Sequence, residues 1–353
     1  MEVNGFEYRV NQNGIPVIKH SKQIPIKLYK YYSLNENSVD GLLSGYLFAS
    51  HPYHLNDYAD SGLSLIDYSK KPSFKFFKAL YSNFPFNYSD EKVAKSYEQI
   101  EDGSIFLQDL YPRLFYDNGI ISLSQNGYSD LMWPHYTKEE GFQLEFDVKG
   151  LLDSIEKKLS RQNEVVSFHP INYSKHRRVI TITEKIEKYP ALALLYITSI
   201  KDINWSYEDE WRIIVSKGAM GIPWLNRGYV VNENSPGREG ARKVFYDGIF
   251  VTGITLGANF LTHKSYFLSK YENASMVIRP RRNKKTTISF LNFLSRFKNT
   301  PIYHSEIQKV GFEADQKVKR LKRRIKVEKV TIEKFRISFT KELFDENGAL
   351  LSS

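Results

Sequence analysis

The chain has 353 residues, a net charge of +10 and no cysteine, and 41% of its residues are hydrophobic and 14% aromatic. That composition can bury a large core, and it excludes intrinsic disorder, disulfide frameworks, thiolate zinc sites and cysteine nucleophiles. The start, "MEVNGFEYRVNQNGIP", has no basic segment followed by an apolar one, and no window approaches eighteen consecutive apolar residues, so a soluble, cytoplasmic protein without a membrane partner is expected.

In chain order, residues 1–26 form an N-terminal extension, and "IKLYKYYSL" then predicts a strand. "NENSVDGLLSG" predicts a short capped helix ending at Gly45, with a strand in "YLFAS" after it. "HPYHLNDYAD" is a polar, turn-rich loop, and about 70–115 is an aromatic, mostly helical insert. "GIISLSQ" predicts a strand, and Phe142, Leu144 and Phe146 alternate with Gln143 and Glu145 in another. Leu151, Leu152, Ile155 and Leu159 mark an amphipathic helix; "EVVSFHPINYS" is a strand, and "YPALALLYITSI" a buried helix with Pro190 near its start. "VFYDGIFVTGITLGANF" predicts strand, turn, strand and a helix start, "SMVIRPRR" a strand, and Phe335, Ile337 and Phe339 alternate in a late strand. The fold class is α+β, rich in antiparallel pairing and without a βαβ rhythm. It divides into the extension, a main domain over 27–278 carrying the insert, and a basic region over 279–353 packed on it.

Charge is concentrated near the end. Residues 279–334 hold 17 Lys or Arg against 5 Asp or Glu, which leaves the rest of the chain at −2. Within that region Val318, Leu321 and Ile325 lie at helical spacing, with Lys319, Arg320, Lys322, Arg323 and Arg324 around them. A basic helix of this kind suits RNA or DNA; a solvated surface helix and the docking face for an acidic protein are the alternatives.

The most unusual stretch is "NWSYEDEWRIIVS", in which three acids abut a tryptophan and an apolar strand. Alternation along a strand puts Glu208, Glu210 and Arg212 on one face and Asp209, Trp211 and Ile213 on the other. An edge strand with a solvated polar face accounts for this, and so does a site built on two carboxylates. The chain has no GxxxxGK[ST], GxGxxG, HExxH or GxSxG, so P-loop, Rossmann, zinc-protease and α/β-hydrolase chemistry lose support. Its eight histidines are scattered, and no metal is expected.

"LYKYYSL", "LFASHPYHLNDYAD", "GIISLSQ", "LMWPHYTKEEGFQLEFD" and "YEDEWRII" occur in this order over about residues 27–260. The set resembles a widespread bacterial family of uncharacterised domains that includes the AbiGi-type abortive-infection proteins. Two departures are visible: Asn56-Asp57-Tyr58 stands where Asn-Asp-Pro is usual, and Ser122-Leu123-Ser124 where Cys-Phe-Ser is common. The layout in turn resembles ADP-ribosyltransferases, which implies a split antiparallel sheet around a cleft for NAD, consumed as substrate. By that resemblance Lys30, Tyr31 and Ser33 lie on the first strand and Ser124 on the middle one. Glu208 and Glu210 lie on the third, with Glu210 catalytic and Glu208 orienting or deprotonating the acceptor.

Cleavage of the nicotinamide–ribose bond builds positive charge on the sugar, which a fixed carboxylate stabilises selectively, while a second carboxylate serves the nucleophile. Arg212 would keep the pair ionised or bind a pyrophosphate oxygen. Tyr31, Trp133, Tyr136 and Trp205 offer flat surfaces for the donor's rings, or serve as core packing, and His135 and Tyr136 join the catalytic set. The expected function is an NAD-dependent ADP-ribosyltransferase of a defence or toxin system, acting on nucleic acid, RNA before DNA, and a client of an antitoxin or chaperone. The rivals are an NAD glycohydrolase, a non-catalytic nucleic-acid sensor and, least supported, a metal nuclease using Asp57, Asp60, Glu145 and the two glutamates.

Overall fold

The computed structural model describes residues 1–52, 55, 57, 60–67, 71, 73–82, 89–100, 118–159, 165–181, 188–189, 191–216, 220, 242–262, 264–272, 274–281, 284–297, 300–310, 317–346 and 348–351. Its centre is a 12-stranded mixed sheet, mostly antiparallel. In chain order the strands are β1 (Lys27–Tyr32), β2 (Asn118–Ser124), β3 (Phe142–Asp147), β4 (Val165–Pro170), β5 (Glu210–Ser216), β6 (Val251–Leu256), β7 (Tyr266–Glu272), β8 (Ser275–Pro280), β9 (Ile302–Val310), β10 (Lys317–Lys329), β11 (Phe335–Phe344) and β12 (Leu350–Leu351). Across the sheet they run β7, β8, β11, β10, β9, β6, β3, β1, β2, β5, β4, with β12 paired to β11. The pairing of β6 with β9 is parallel. The C-terminal strands therefore continue the sheet that carries the "YEDEWRII" strand.

Among the described residues the α-helices are α1 (Glu36–Ser44), α2 (Phe74–Ser82), α3 (Asp90–Glu98), α4 (Val148–Lys158), α5 (Ala191–Ser199) and α6 (Lys284–Arg296). α1 has the expected ends: Asn35 and Ser38 form a reciprocal cap, and Gly45 closes the helix in the left-handed conformation at φ 68°. α2 and α3 supply the helical insert, whose residues 83–88 and 101–115 lie outside the described residues, as does Pro190. One core cluster packs α1, α4 and α6 on the sheet through Val39, Leu151, Phe142, Ile213, Phe290 and Ile325. A second surrounds α5, which is buried from Leu192 to Ser199. The N-terminal extension packs there as a three-stranded sheet, with Tyr8 bonded to Ser199 at 2.7 Å.

Three expectations fail locally. The basic helix is a strand: β10 pairs with β9 on one side and β11 on the other, and two ladders of backbone bonds outweigh the helical spacing of a narrow stripe. Val318, placed on that stripe, is half exposed, whereas Arg320, Leu321 and Lys322 are all buried. "GANF" forms turns rather than a helix start. β5 is also no edge strand, because β2 and β4 flank it and six of its seven residues are buried.

Gly141 sits where two segments meet, and a Cβ there would lie 2.0 Å from the Tyr32 carbonyl oxygen. Its own amide donates to Thr137 at 3.0 Å. Gly141→Ala should cost about 1–3 kcal/mol, because backbone rather than a flexible side chain must move. Urea unfolding would read this as a lower midpoint at constant slope, and an unchanged midpoint would contradict the crowding.

Candidate functional site

The site is built where β1, β2 and β5 lie side by side. Register sets Glu210 opposite Ser124 and Arg212 opposite Ser122. Lys30 projects from β1 and its Nζ donates to the Ser122 carbonyl at 2.7 Å. Glu208 precedes the strand, at the end of a 3₁₀ turn over Ile203–Glu208, and Asp209 links the two with a left-handed backbone at φ 42°. The two glutamates are therefore not successive same-face residues of one strand. They converge nonetheless, because each binds the same ammonium.

That ammonium belongs to Lys201, which follows α5. Its Nζ lies 2.5 Å from Glu208 Oε2, 3.2 Å from Glu210 Oε2 and 3.7 Å from Asp60 Oδ2. Arg212 forms the second cationic centre. It donates through Nε to Glu210 Oε1 at 2.7 Å, through its terminal nitrogens to both oxygens of Asp60, and to the Thr198 carbonyl at 2.6 Å. Asp60, Lys201, Glu208, Glu210 and Arg212 are all buried. With Lys30 they set three anions against three cations, the balance a buried ionic cluster requires.

The two carboxylates are pulled apart in proton affinity. Burial raises that of Glu210, but the charges of Arg212 and Lys201 and the guanidinium hydrogen bond outweigh it, and the carboxyl is held well below the usual range. Glu208 goes the other way: burial and the neighbouring Glu210 charge raise it, against the opposing pull of Lys201 and of the hydrogen bond donated by the Tyr136 hydroxyl. Burial pushes the Lys30 amine down to about 8, with Glu210 and Glu208 acting against the shift. Two acids with environments that separate them form an arrangement suited to an acid–base pair.

A cavity of about 150 Å³ opens on this cluster. Tyr29, Tyr31 and Tyr136 form its aromatic walls, and Lys30, Lys201, Glu208, Glu210 and Arg212 its charged ones. Ser124 lines it as well, with its hydroxyl donating to the Glu208 carbonyl at 2.6 Å and so fixing the turn before β5. Tyr31 donates to the Asn126 carbonyl at 2.7 Å. Among the described residues no group of three His, Cys, Asp or Glu is arranged to hold a metal ion.

Several expected site residues lie elsewhere. Ser33 bonds the Tyr136 carbonyl at 2.8 Å and faces a neighbouring cavity. Trp133 is wholly buried behind Tyr31, so its ring packs the wall from outside and offers no stacking surface. His135 is exposed against Trp205 and Tyr136 and does not line the cavity. The basic set is mostly committed internally: Arg320 to Asp130 and Glu139, Lys322 to Gln143, Arg323 to Glu306, and Arg324 to Glu342. Lys319 is half-buried on β10. The physical reason is again the strand, which turns Arg320 and Lys322 inward where a helix would have spread them over a surface.

Lys201 escaped attention in the sequence, and Asp60 entered only as a metal donor. The available signal was a lone lysine ending the apolar run "ALALLYITSIK", since an ammonium there needs a buried counter-charge.

A family model described as a protein of unknown function (DUF2971) matches residues 132–213. The similar stretch therefore takes in Tyr136, Lys201, Glu208, Glu210 and Arg212. No curated protein and no solved structure matches the chain.

Proposed function

We propose that the chain is an NAD-dependent ADP-ribosyltransferase of a bacterial defence or toxin system, with its chemistry at the Glu208–Lys201–Glu210 cluster. The observation that carries this is the divergence of two buried carboxylates across one lysine, at the wall of a cavity lined by tyrosines. The cavity's 150 Å³ falls below the roughly 300–1,000 Å³ of pockets that enclose whole ligands. It suits the reacting sugar or ring of the donor, with the remainder of NAD outside, toward half-buried Trp205 and Tyr207.

In this reading the bond between ribose and nicotinamide breaks with its electron pair leaving on nicotinamide. Glu210, held ionised, faces the positive charge that develops on the sugar. Glu208 takes the proton of the incoming nucleophile as the new bond to the sugar forms, and the Tyr136 hydroxyl keeps it aimed. Charge supports a nucleic-acid acceptor: Lys326, Lys329, Arg336 and Lys341 remain exposed on β10 and β11.

Nicotinamide release from NAD tests the assignment. Glu210→Gln should reduce it about 10²–10³-fold and Glu208→Gln about 10²–10⁴-fold. Release that requires added RNA indicates transfer, and equal release without acceptor indicates a glycohydrolase. If the wild-type protein releases nothing with RNA, DNA or protein acceptors, the proposal is wrong and the cluster is a structural ion network.

A further inference from the structure

We infer that Arg320, on strand β10 of the C-terminal region, is a positioning residue for the candidate site, gripping both ends of the segment that aims Tyr136 at Glu208. The inference builds on the acid–base role assigned above to Glu208, and the geometry behind it is independent of any substrate.

Tyr136 sits in a single wide helical turn over Trp133–Thr137. The turn is closed by two successive residues with left-handed backbone, Lys138 at φ 55° and Glu139 at φ 59°, neither of them glycine. Such conformations cost free energy and persist only where surrounding contacts hold them. Arg320 provides three such contacts. Its Nη1 and Nη2 meet the Glu139 carboxylate at 3.0 and 2.7 Å, its Nε meets Asp130 at 3.1 Å, and its guanidinium lies 5.4 Å from the Trp133 ring centre. One buried planar cation thus fixes a point before Tyr136, the ring at the start of its turn, and the strained residue after it.

This suits a positioning device better than a surface ion pair. Arg320 is 5% exposed, and Ser305 of the adjacent strand takes a further hydrogen bond from it at 2.8 Å. A planar fork with several donors can satisfy a carboxylate while stacking on a ring, which lysine cannot do. Two residues along the same strand face, Lys322 makes a parallel grip: its Nζ donates to Gln143 at 3.0 Å, and the Gln143 amide in turn donates to the Gly127 carbonyl at 2.9 Å. Strand β10 thereby braces the covering segment of the cavity from behind.

The test reads the Glu208 carboxyl directly, by carbon-13 NMR of Glu-labelled protein with Glu208→Gln to assign the resonance. Tyr136→Phe removes a hydrogen bond to the charged form, so the Glu208 titration should move up by about one pH unit. Arg320→Ala should move it in the same direction by a comparable amount, and should add nothing in a Tyr136→Phe background. Arg320→Lys should give a smaller shift of the same sign, and it serves as the informative variant if the alanine protein does not fold. An unchanged Glu208 titration in the folded Arg320 variants, whatever their stability, would overturn the inference. If the titration shifts as described while no form of the protein releases nicotinamide, the positioning role stands and the transferase proposal falls.

Discussion

Replacing Arg212 by Met is expected to lower stability by about 3–5 kcal/mol, the cost of leaving buried carboxylates without their cation. Arg212 is 1% exposed and is the partner of both Asp60 and Glu210. It also caps the carbonyl of Thr198 in the last turn of α5, where a positive charge opposes the negative end of the helix dipole. Its loss would raise the proton affinity of Glu210, because Lys201 and Lys30 would then have to balance three acids. A partial rescue follows from the same argument: adding Asp60→Asn to Arg212→Met removes one orphaned charge, so the double variant should be more stable than the sum of the singles predicts. Urea unfolding of the four proteins measures the cycle. A single-variant loss below about 1 kcal/mol would show that the cluster is hydrated rather than buried.

Acid should destabilise the protein at an unusually high pH for a chain dominated by a carboxylate cluster. Burial, reinforced by the charge of Arg212, takes the His169 imidazole down from 6.5 to about 4, and the hydrogen bond with the Pro170 carbonyl offsets this only in part. His169 stands opposite Arg212 across the β4–β5 ladder and is 1% exposed. In the unfolded chain it takes a proton as pH falls below 6.5, whereas in the folded protein it stays neutral until about 4. Its contribution is therefore complete above pH 6.5 and is lost between 6.5 and 4, by up to about 3 kcal/mol at one pKa unit per 1.36 kcal/mol. His304, also shifted down to about 4 by burial, adds in the same direction and window, with a smaller weight because it is only half-buried. Glu210 stays ionised throughout, and its own loss begins only below about 4.5. Unfolding free energies of wild type and His169→Gln between pH 7 and 4.5 separate the effects. The variant should show a flatter dependence, and parallel curves would remove His169 as the cause.

The two predictions concern neighbouring residues, and together they describe the physical state of the site. Arg212 serves as the fixed cation of the carboxylates, and the same charge helps keep His169 neutral. Of the two glutamates, Glu208 is the one whose proton affinity is raised, by burial and by the charge of Glu210.

Local signals sufficed for much of the architecture. The capping residues of α1, the alternation in β3 and the apolar run of α5 each depend on neighbours in the chain, so the sequence alone predicted these elements. It also singled out Glu208, Glu210 and Arg212, because acids beside a buried strand violate the ordinary pattern. Tertiary structure decided the rest. β10 carries an apolar stripe at helical spacing, and pairing with β9 and β11 overrides it to make a strand. That choice turned Arg320 and Lys322 from surface charges into buried braces. Lys201 and Asp60 meet from positions 141 residues apart, a proximity that no local periodicity encodes. What the residues by themselves determined was which groups cannot be left unpaired. Which partners satisfy them follows from the sheet, since burial makes an unpaired charge prohibitive and only the folded chain brings the counter-charges together.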